Sequence, residues 1–382
     1  MKKILIVTTV GGFVTQFERN NLTILNEMNY EIHYASNFSN NIYNIDYDTL
    51  KTENVHIHEL DMDKSVKNIS SHVRNIKEIT RLINEFEIDV VHCHTPVGSV
   101  LARMAARKAV RRPYVIYTAH GFHFYKGAPL GNKIYYPIER MMSKYTDCLI
   151  TINEEDYVAA SNFSSHNRLK VVKIPGVGLD TERFKSQKSL RSRIRQENDI
   201  TDDKFHIVTI GEINNNKNLA VVVSALAKIN NPSIHYSIWG RGPGIDKLRK
   251  YIEALKLQNQ VHIMGYCEKP EDILQGADAF VFPSLREGLG MAALEALACE
   301  VPVIAMDNRG TREYMQDGYN GFVCINNSEE EFADKIQQMY DMFRNKPEKL
   351  DIFRRNCRET ALRFQIANTG KIMRDVYGDI GK

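Results

Sequence analysis

Two glutamates, Glu287 and Glu295, flank a glycine-containing turn in the stretch REGLGMAALEAL (286–297). On one helix, about 12 Å along the axis would separate them, whereas glycosidase carboxyl pairs lie about 5–10 Å apart. The spacing favours contacts to the two ends of one long ligand. The turn would present backbone N–H groups to an anion, from Leu289, Gly290 and Met291. A nucleoside diphosphate sugar has hydroxyls, phosphates and hydroxyls in that order. Two solvated glutamates are the alternative, which the apolar neighbours of Glu295 disfavour.

A second loop, GEINNNKN (211–218), follows the apolar run FHIVTI. Gly211 and three asparagines indicate a turn, in which Asn215 or Asn216 could cap the next helix. Lys217 would then fall in the first helical turn, where a cation opposes the helix macrodipole. This placement indicates a bound phosphate, although a solvated lysine fits the same pattern.

Two glycine-rich stretches depart from the GxGxxG dinucleotide fingerprint. They are WGRGPG (239–244), which contains Arg241, and VGGFV, which contains Gly11 and Gly12. Their glycines allow a close approach of the backbone, but each stretch alone is a weak signal.

A fourth loop, TAHGFHFYKGAP (118–129), places His120 at the end of a predicted strand. Its aromatic, histidine and lysine side chains are typical of a binding surface rather than a connector. They include Phe122, His123, Tyr125 and Lys126. Either histidine could equally have a structural role.

From 101 to 145 the chain has nine basic residues and a single acidic one, Glu139, within a chain of net charge +3. The basic residues are Arg103, Arg107, Lys108, Arg111, Arg112, Lys126, Lys133, Arg140 and Lys144. At roughly 1 kcal/mol per basic residue near an anionic leaflet, they predict a membrane-surface or diphosphate patch. A solvated helix face is the competing interpretation. The small net charge of the whole chain does not favour a nucleic-acid partner, and none is predicted.

The sequence predicts no metal site. The segments 46–48 and 61–63 match the Asp-x-Asp pattern of metal-dependent sugar transfer, but such short matches often arise by chance. His92 and His94 lack a further clustered ligand in the sequence and are a poor zinc site. Six scattered cysteines without a CxxC pair indicate a reduced, cytoplasmic protein.

The elements that must position these loops alternate between strand and helix patterns, which predicts parallel sheets covered by helices on both faces. The alternation stops at IPGVGLDTERF (174–184) and restarts at FHIVTI. Two doubly wound domains joined near 175–185 account for this. In such sheets, ligands bind at the carboxyl ends of strands, where the four loops fall. No apolar stretch approaches the ~18 residues of a membrane span.

Together these motifs resemble glycosyltransferase family 4, the retaining enzymes with two Rossmann-like domains. The similarity covers nearly the whole chain and is most specific in PSLREGLGMAALEALACEVPVI (283–304). DVVHCHTP, YTAHG and IPGVGLDTERF match in the same order, and HGFHFYKGAP is similar to the capsule and exopolysaccharide subgroup. The resemblance implies a GT-B fold, with an acceptor-binding domain at 1–178 and a donor-binding domain at 179–363 facing a cleft. A C-terminal helix at about 364–382 would pack back on the first domain.

The resemblance also assigns catalytic roles to Glu287 and His120. Glu287 would hold hydroxyls of the donor sugar, and His120 would reach the donor from the N-terminal domain. Glu295 would bind the ribose hydroxyls. No metal or other cofactor is expected, and retention would follow from front-face attack in which the leaving phosphate helps to deprotonate the acceptor.

The diphosphate of the donor would lie against the amides of 289–291 and the Lys217 ammonium group. Three glycines would let the phosphates approach the backbone. They are Gly11, Gly12 and Gly211. One position departs from the family pattern, because Glu212 stands where an arginine is common. Glu212 could turn away, or Arg241 or Arg286 could restore the positive charge. Arg286 is favoured because it adjoins Glu287.

The predicted activity is retaining hexosyl or N-acetylhexosaminyl transfer from a nucleotide donor, expected to be a UDP-sugar. The acceptor would be a polyprenyl-diphosphate-linked saccharide in capsule, exopolysaccharide or O-antigen assembly. The enzyme would be cytoplasmic and peripheral on the inner face of the cell membrane. Two alternatives are a nucleotide-sugar epimerase of related fold and a non-catalytic nucleotide-sugar binding protein.

Overall fold

The computed structural model describes residues 1–39, 43–62, 68–164 and 169–381. The chain falls into two units, Met1–Gly178 with Ile366–Lys382 and Leu179–Gln365. Each unit has its own parallel sheet, of seven strands in the first and six in the second. The predicted alternation of strands and helices in two doubly wound units is confirmed.

The first sheet is built around a reversal of strand order. Its strands are β1 (Lys2–Val7), β2 (Tyr30–Ser36), β3 (Val55–Glu59), β4 (Val90–His94), β5 (Tyr114–Ala119), β6 (Cys148–Thr151) and β7 (Lys170–Lys173). They lie in the order β3-β2-β1-β4-β5-β6-β7. The direction of winding changes between β1 and β4, so a crevice forms beyond the carboxyl ends of these two strands.

Helices return the chain from the carboxyl edge of the first sheet to its amino edge. They are α1 (Phe13–Phe17), α2 (Arg19–Glu27), α3 (Tyr47–Thr52), α4 (Ile69–Glu85), α5 (Pro96–Lys108), α6 (Tyr135–Met142) and α7 (Glu154–Ser164). Because helices cover both faces, the central strands are buried on both sides, although β4 also carries His92 and His94. Leu5, Val90 and Val91 are completely buried.

The second sheet repeats this plan. Its strands are β8 (Phe205–Ile210), β9 (Ile234–Trp239), β10 (Val261–Gly265), β11 (Ala279–Phe282), β12 (Val303–Met306) and β13 (Gly321–Cys324), in the order β10-β9-β8-β11-β12-β13. Its helices are α8 (Arg191–Glu197), α9 (Leu219–Ile229), α10 (Ile245–Ala254), α11 (Pro270–Gln275), α12 (Met291–Ala298), α13 (Glu329–Asn345) and α14 (Pro347–Leu362). The winding reverses between β8 and β11, so the loops after these strands flank the second crevice.

The last helix, α15 (Ile366–Gly378), belongs to the first unit although it follows the second in sequence. The hydroxyl of Tyr30 donates to the carbonyl oxygen of Tyr377 at 3.1 Å. The buried Tyr377 hydroxyl is in turn 3.0 Å from Nδ1 of His92 on β4. The C-terminal helix therefore completes the core of the first unit.

Two strands have no clear signal in the sequence. β3 (VHIHE) lies at the edge of its sheet and is largely solvent-accessible, so it lacks an apolar pattern. β13 (GFVC) has four residues and is also an edge strand. β3 gives no apolar pattern because it is largely accessible, whereas β13 is mostly buried but too short to give one.

Arg103 is buried inside the first unit and does not belong to an exposed basic patch. Its side chain is 1 % exposed, and both terminal nitrogens lie 3.0 Å from Oε2 of Glu139. The guanidinium carbon also lies 4.3 Å from the centre of the Tyr117 ring. The prediction that Arg103 contacts an acceptor or membrane is therefore wrong, because this residue joins α5 to α6 inside the core.

We expect Arg103→Met to destabilise the protein by about 3–5 kcal/mol, because it leaves the Glu139 carboxylate buried without its partner. Arg107→Met is the matched control on the same helix, where an exposed side chain hydrogen-bonds Tyr145. Loss of the Arg107 side chain should lower the free energy of unfolding by less than about 1 kcal/mol. Urea denaturation followed by circular dichroism measures both, and equal small losses would contradict the assignment.

Candidate active site

The two loops at the switch point of the second sheet are tied together by Asn216. Its backbone oxygen accepts from the N–H of Leu285 at 2.9 Å, and its side-chain amide donates to the carbonyl oxygen of Arg286 at 2.9 Å. The loop after β8 and the loop after β11 are therefore held in register at one edge of the sheet. This brings the predicted residues Lys217 and Glu287 together.

Lys217 and Glu287 form an ion pair. The ammonium nitrogen lies 2.7 Å from Oε1, and the two side chains are 20 % and 15 % exposed. The same nitrogen lies 5.0 Å from the centre of the Phe282 ring. The pair is thus largely shielded from water but still accessible, which strengthens its attraction.

Lys217 does not lie in the first turn of α9, as the sequence had suggested. It ends a short 3-10 turn, Asn215–Lys217, and its backbone N–H donates to Oδ1 of Asn214 at 3.1 Å. Asn218 then takes a left-handed conformation, with φ of 53°, before α9 begins at Leu219. The prediction that Asn215 or Asn216 caps α9 is therefore wrong: Asn214 caps the 3-10 turn, and Asn218 precedes α9 without a side-chain cap.

The turn before α12 depends on Gly290. Its φ is 93°, and an added Cβ would lie 2.7 Å from the Phe282 ring and 2.9 Å from the Tyr314 hydroxyl. No side chain caps the helix that follows, while Leu289 is buried and Met291 is half-buried. The start of α12 thus has the backbone geometry that suits an anion.

The two glutamates lie on different elements. Glu287 belongs to the loop after β11, and Glu295 belongs to the second turn of α12. The separation of about 12 Å, which was predicted for two glutamates on one helix, therefore does not apply. Burial raises the pKa of Glu295 to about 7; Arg183 opposes this rise and Glu271 adds to it. Arg183 is itself paired with Glu271 at 2.8 Å. Glu295 is therefore a half-buried carboxyl that changes charge near neutral pH.

The WGRGPG stretch packs against the neighbouring loop. An added Cβ at Gly240 would lie 1.8 Å from the carbonyl oxygen of Gly211. The N–H of Ile213 donates to the carbonyl oxygen of Arg241 at 2.9 Å. These glycines thus permit contact between the two loops. The exposed Arg241 stacks on the Tyr266 ring, 5.0 Å from its centre, and Glu212 is also exposed.

Gly11 and Gly12 in the first unit also pack directly against neighbouring residues of the chain. An added Cβ at Gly11 would lie 2.8 Å from the Phe38 ring, and one at Gly12 would lie 2.5 Å from the carbonyl oxygen of Tyr43. Close backbone packing within the unit explains both residues. Their predicted contact with a phosphate stays a prediction.

Beyond β1, β4 and β5, three side chains converge at the carboxyl edge of the first sheet. Nδ1 of His94 and Nε2 of His120 are 3.1 Å apart, and Oε1 of Glu18 lies 3.4 Å from each. Glu18 and His94 are buried, whereas the His120 side chain is 21 % exposed. Burial raises the pKa of Glu18 to about 8 and lowers that of His120 to about 4.

This cluster corrects the statement that His94 has no clustered ligand. In the part of the chain that the structure describes, Glu18, His94 and His120 are the group whose ligand atoms lie close enough together to hold a metal ion. The sequence could not reveal it, because Glu18 is distant in the chain and stands in no motif. Absence of a metal requirement stays a prediction.

The Asp-x-Asp segments have structural contacts. Asp46 caps α3 by accepting from the N–H of Thr49 at 2.9 Å, and it also pairs with Arg19. Asp61 is exposed and lies 3.3 Å from Arg74, while Asp63 lies outside the described residues.

The aromatic loop after β5 is only partly a surface. Phe122 is 3 % exposed and stacks on Phe124 in the core, so its predicted contact with an acceptor is wrong. His123 and Tyr125 are half-buried, and Lys126 is exposed. The backbone N–H of Phe122 also donates to Oδ2 of Asp156 at 3.1 Å.

The basic residues do not form one patch. Helix α5 carries the chain back to the amino edge, where Arg111 lies 3.5 Å from Asp89 and Arg112 lies 3.0 Å from Asp147. Both aspartates precede strands, so the basic group at the end of α5 lies at the opposite edge from Lys126. That group comprises Arg107, Lys108, Arg111 and Arg112. A single patch that joins them to the aromatic loop is therefore ruled out.

A groove of about 470 Å³ lies between the start of α9 and α10 in the second unit. Asn214, Leu219, Lys247 and Tyr251 contribute to its lining, and neither Lys217 nor Glu287 does. Apolar and polar side chains both line it, and Asn214, Asn215 and Asn218 come from the loop after β8. The groove therefore adjoins the candidate site through that loop but does not contain the ion pair.

The chain is similar in sequence to known glycosyl transferases. A family model described as "Glycosyl transferases group 1" matches residues 191–360, and one described as "Glycosyl transferase 4-like" matches residues 3–153. The chain is 38% identical over 381 residues to "Putative glycosyltransferase EpsD" of Bacillus subtilis, covering 98% of this chain and 96% of that protein. It is 27% identical to the Escherichia coli "UDP-Gal:alpha-D-GlcNAc-diphosphoundecaprenol alpha-1,3-galactosyltransferase", covering 81% and 80%.

Solved structures share the fold over the whole chain. HepE of Anabaena, in complex with UDP and glucose, has a TM-score of 0.79 at 16% identity and covers 99% of this chain and 100% of its own. WaaG, described as a glycosyltransferase involved in lipopolysaccharide biosynthesis, has a TM-score of 0.73 at 16% identity and covers 98% and 99%. The predicted GT-B type of fold is confirmed. None of the described helices has the length and apolar character needed to cross a membrane.

Glu295→Gln should stabilise the second unit at high pH and not at low pH. The folded state raises the pKa of Glu295 from 4.5 to about 7, so stability is greatest below about pH 4.5 and is lost as the pH rises through 7. Because Glu295 is partly exposed, we expect a gain of about 1–3 kcal/mol at pH 8 and almost none at pH 4. Fluorescence of Trp239, the single tryptophan, follows urea unfolding of this unit. Exposed Glu253→Gln is the control, and an equal gain at both pH values would refute the assignment.

Proposed function

The chain belongs to the glycosyl transferases that join a 4-like amino-terminal part to a group 1 carboxyl-terminal part, and on that premise we propose its reaction. The enzyme transfers a hexosyl or N-acetylhexosaminyl group from a UDP-sugar, with retention of anomeric configuration. The acceptor is a saccharide linked to a lipid diphosphate, and the product serves assembly of a capsule or exopolysaccharide.

The observation that carries this proposal is the Lys217–Glu287 pair beside the Gly290 turn. A donor diphosphate would compete with the Glu287 carboxylate for the Lys217 ammonium group. Glu287 would then be released to accept hydrogen bonds from sugar hydroxyls, while the turn amides face the phosphates. The unliganded pair thus keeps both charges balanced until the donor arrives.

The choice of UDP rests on similar proteins. The Escherichia coli relative is named for a UDP-galactose donor, and the HepE structure holds UDP and glucose. Glu295, whose surroundings favour its neutral form, would gain a hydrogen-bonding partner in the ribose hydroxyls.

The lipid-linked acceptor is supported by the name of the same relative, which specifies a diphosphoundecaprenol. The first unit also exposes apolar side chains along 130–141, where Leu130 is 78%, Ile134 62% and Met141 53% exposed. Exposed Lys133 and Arg140 lie on the same segment. Apolar residues interspersed with cations suit an anionic membrane surface, so this segment replaces the single basic patch as the proposed membrane contact.

In the proposed reaction, the protein mainly stabilises charge and aligns the reactants. Lys217 and the amides at the start of α12 would stabilise the departing diphosphate. Glu287 would orient the donor sugar, and the leaving phosphate would accept the proton of the attacking hydroxyl. No protein nucleophile is needed in this scheme, and no metal ion is expected.

The activity is tested by a thermal-shift screen of UDP, GDP and ADP, followed by transfer from UDP-sugars to a lipid-diphosphate saccharide in anionic vesicles. We expect stabilisation by UDP alone and an α-linked product from an α-linked donor, read by the anomeric proton coupling in NMR. An inverted product would overturn retention. Donor consumption without acceptor, giving an epimer, would instead support an epimerase.

In the transfer assay, Glu287→Gln should lower kcat by at least about 100-fold, or about 2.7 kcal/mol, because the sugar loses its orienting carboxylate. Lys217→Met should weaken UDP binding about 10-fold, or about 1.4 kcal/mol. Exposed Lys250→Met on α10 is the control and should change neither quantity. Near-wild-type turnover of Glu287→Gln would show that the role assignment is wrong.

Arg286→Ala should also weaken UDP binding, by roughly 10-fold, if Arg286 supplies the positive charge that Glu212 does not. Its backbone is fixed next to the ion pair by Asn216. Arg241→Ala is the matched comparison, because Arg241 stacks on Tyr266. Isothermal titration with UDP measures the affinity of both variants. An unchanged affinity of Arg286→Ala would contradict the hypothesis that Arg286 compensates for Glu212.

A further inference from the structure

Beyond the residues assigned so far, the cluster of Glu18, His94 and His120 has an internal order that fixes where His120 holds its proton. Each residue comes from a different element at the switch point of the first sheet. His120 turns Nε2 toward the other two, at 3.1 Å from His94 and 3.4 Å from Glu18. His120 is also the member of the cluster whose side chain is partly exposed.

His94 decides the direction of the hydrogen bond. Its Nε2 is buried and has no hydrogen-bond partner among the described residues. A proton on that nitrogen would leave a buried N–H unsatisfied, at a cost of about 1–3 kcal/mol. A lone pair there is tolerated better, since buried acceptors lack partners more often than buried donors do. His94 therefore carries its proton on Nδ1 and donates it to Nε2 of His120.

The consequence for His120 is a single tautomer. Nε2 accepts from His94, so the proton of a neutral His120 must lie on Nδ1. Nδ1 makes no hydrogen bond to any residue that the structure describes, and His120 is partly exposed. The imidazole therefore presents an N–H donor outward, at the strand end where a ligand would bind.

The backbone next to His94 is held in a strained conformation. Thr95 has φ 61° and ψ 145°, a region that β-branched residues rarely enter. Its hydroxyl lies 2.7 Å from the hydroxyl of Thr9 and 3.2 Å from the Thr9 N–H. Such strain persists only where neighbours enforce it, and here the two threonines tie β4 to the end of β1. The direction of the His94 ring is thus set by the backbone.

We propose that His94 and Glu18 are positioning residues, which hold His120 as a neutral Nδ1–H hydrogen-bond donor toward a substrate bound at the carboxyl edge of the first sheet. Because this role rests on the proposed glycosyl transfer, its test must also include a readout that needs no transfer. The Oε2 atom of Glu18 accepts from the Asn21 amide, so the proton of the uncharged acid lies on Oε1, 3.4 Å from the accepting Nε2 of His120.

Other titratable groups packed on the cluster stay uncharged near neutral pH. The His92 ring on β4 lies 4.2 Å from that of His94, and burial lowers its pKa to about 3. Tyr377 on α15 contacts His92, and burial raises its pKa well above the usual value. Phe13 covers the His120 ring edge-on at 5.0 Å. No charge on these neighbours therefore competes with the hydrogen bond from His94 to His120.

The tautomer is read directly by long-range proton–nitrogen NMR of protein labelled with ¹⁵N-histidine, with signals assigned by His120→Gln. We expect His120 to be neutral with its proton on Nδ1 at pH 7. His94→Leu should remove this preference, whereas His94→Asn, which keeps an N–H near the position of Nδ1, should restore it. A His120 protonated on Nε2 in the wild-type protein would overturn the proposal whether or not transfer activity is found.

Measurement of kcat in the transfer assay is the second test of the proposal. His94→Leu should lower kcat at least 10-fold with little change in UDP affinity, and His94→Asn should recover most of it. Glu18→Leu should also lower kcat at pH 7, and Glu18→Gln, which imitates the uncharged acid, should recover most of that loss. Loss of activity in folded Glu18→Gln at pH 7 would overturn the role of Glu18. Absence of transfer in wild type, with the predicted tautomer present, would instead count against the proposed function.

Discussion

The direction of the strands constrains everything else in this protein. Because each sheet is parallel, every strand ends at the same edge, and each helix must return the chain to the opposite edge. Where the winding reverses, between β1 and β4 and between β8 and β11, the strand ends are left open to a ligand. The Glu18–His94–His120 cluster lies at the first reversal and the Lys217–Glu287 pair at the second. The same constraint separates Arg111 and Arg112 from the aromatic loop, since the end of α5 lies at the other edge.

Burial and ion pairing give the carboxyl groups of this protein different chemistry. Glu18 and Glu295 lie in surroundings that raise their pKa values to about 8 and about 7. Glu287 instead has Lys217 at 2.7 Å, so its negative charge is balanced by a partner that a phosphate could take over. One unit thus has a hydrogen-bonding group that stays neutral at pH 7, and the other has a charge pair that a donor would open. Both arrangements avoid an unpaired buried charge, which would be costly.

The sequence predicted the architecture because apolar strands and glycine-containing loops are local signals. It also selected Lys217, Glu287 and Gly290, since the loops after β8 and β11 carry unusual residues. It could not show Glu18, whose importance comes only from burial beside His94 and His120. It misplaced Arg103 and Phe122, because composition does not distinguish a buried arginine or phenylalanine from an exposed one. The glycines at 211 and 240 were noticed, but only the structure shows that they let two loops touch.

The central claim is that the donor binds at the loops after β8 and β11, and hydrogen exchange measured by mass spectrometry with and without UDP tests it most directly. The account predicts slower exchange of backbone amides in 211–218 and 286–292 when UDP is bound, with little change along α10. Protection confined to α9 and α10, with 211–218 and 286–292 unchanged, would contradict it.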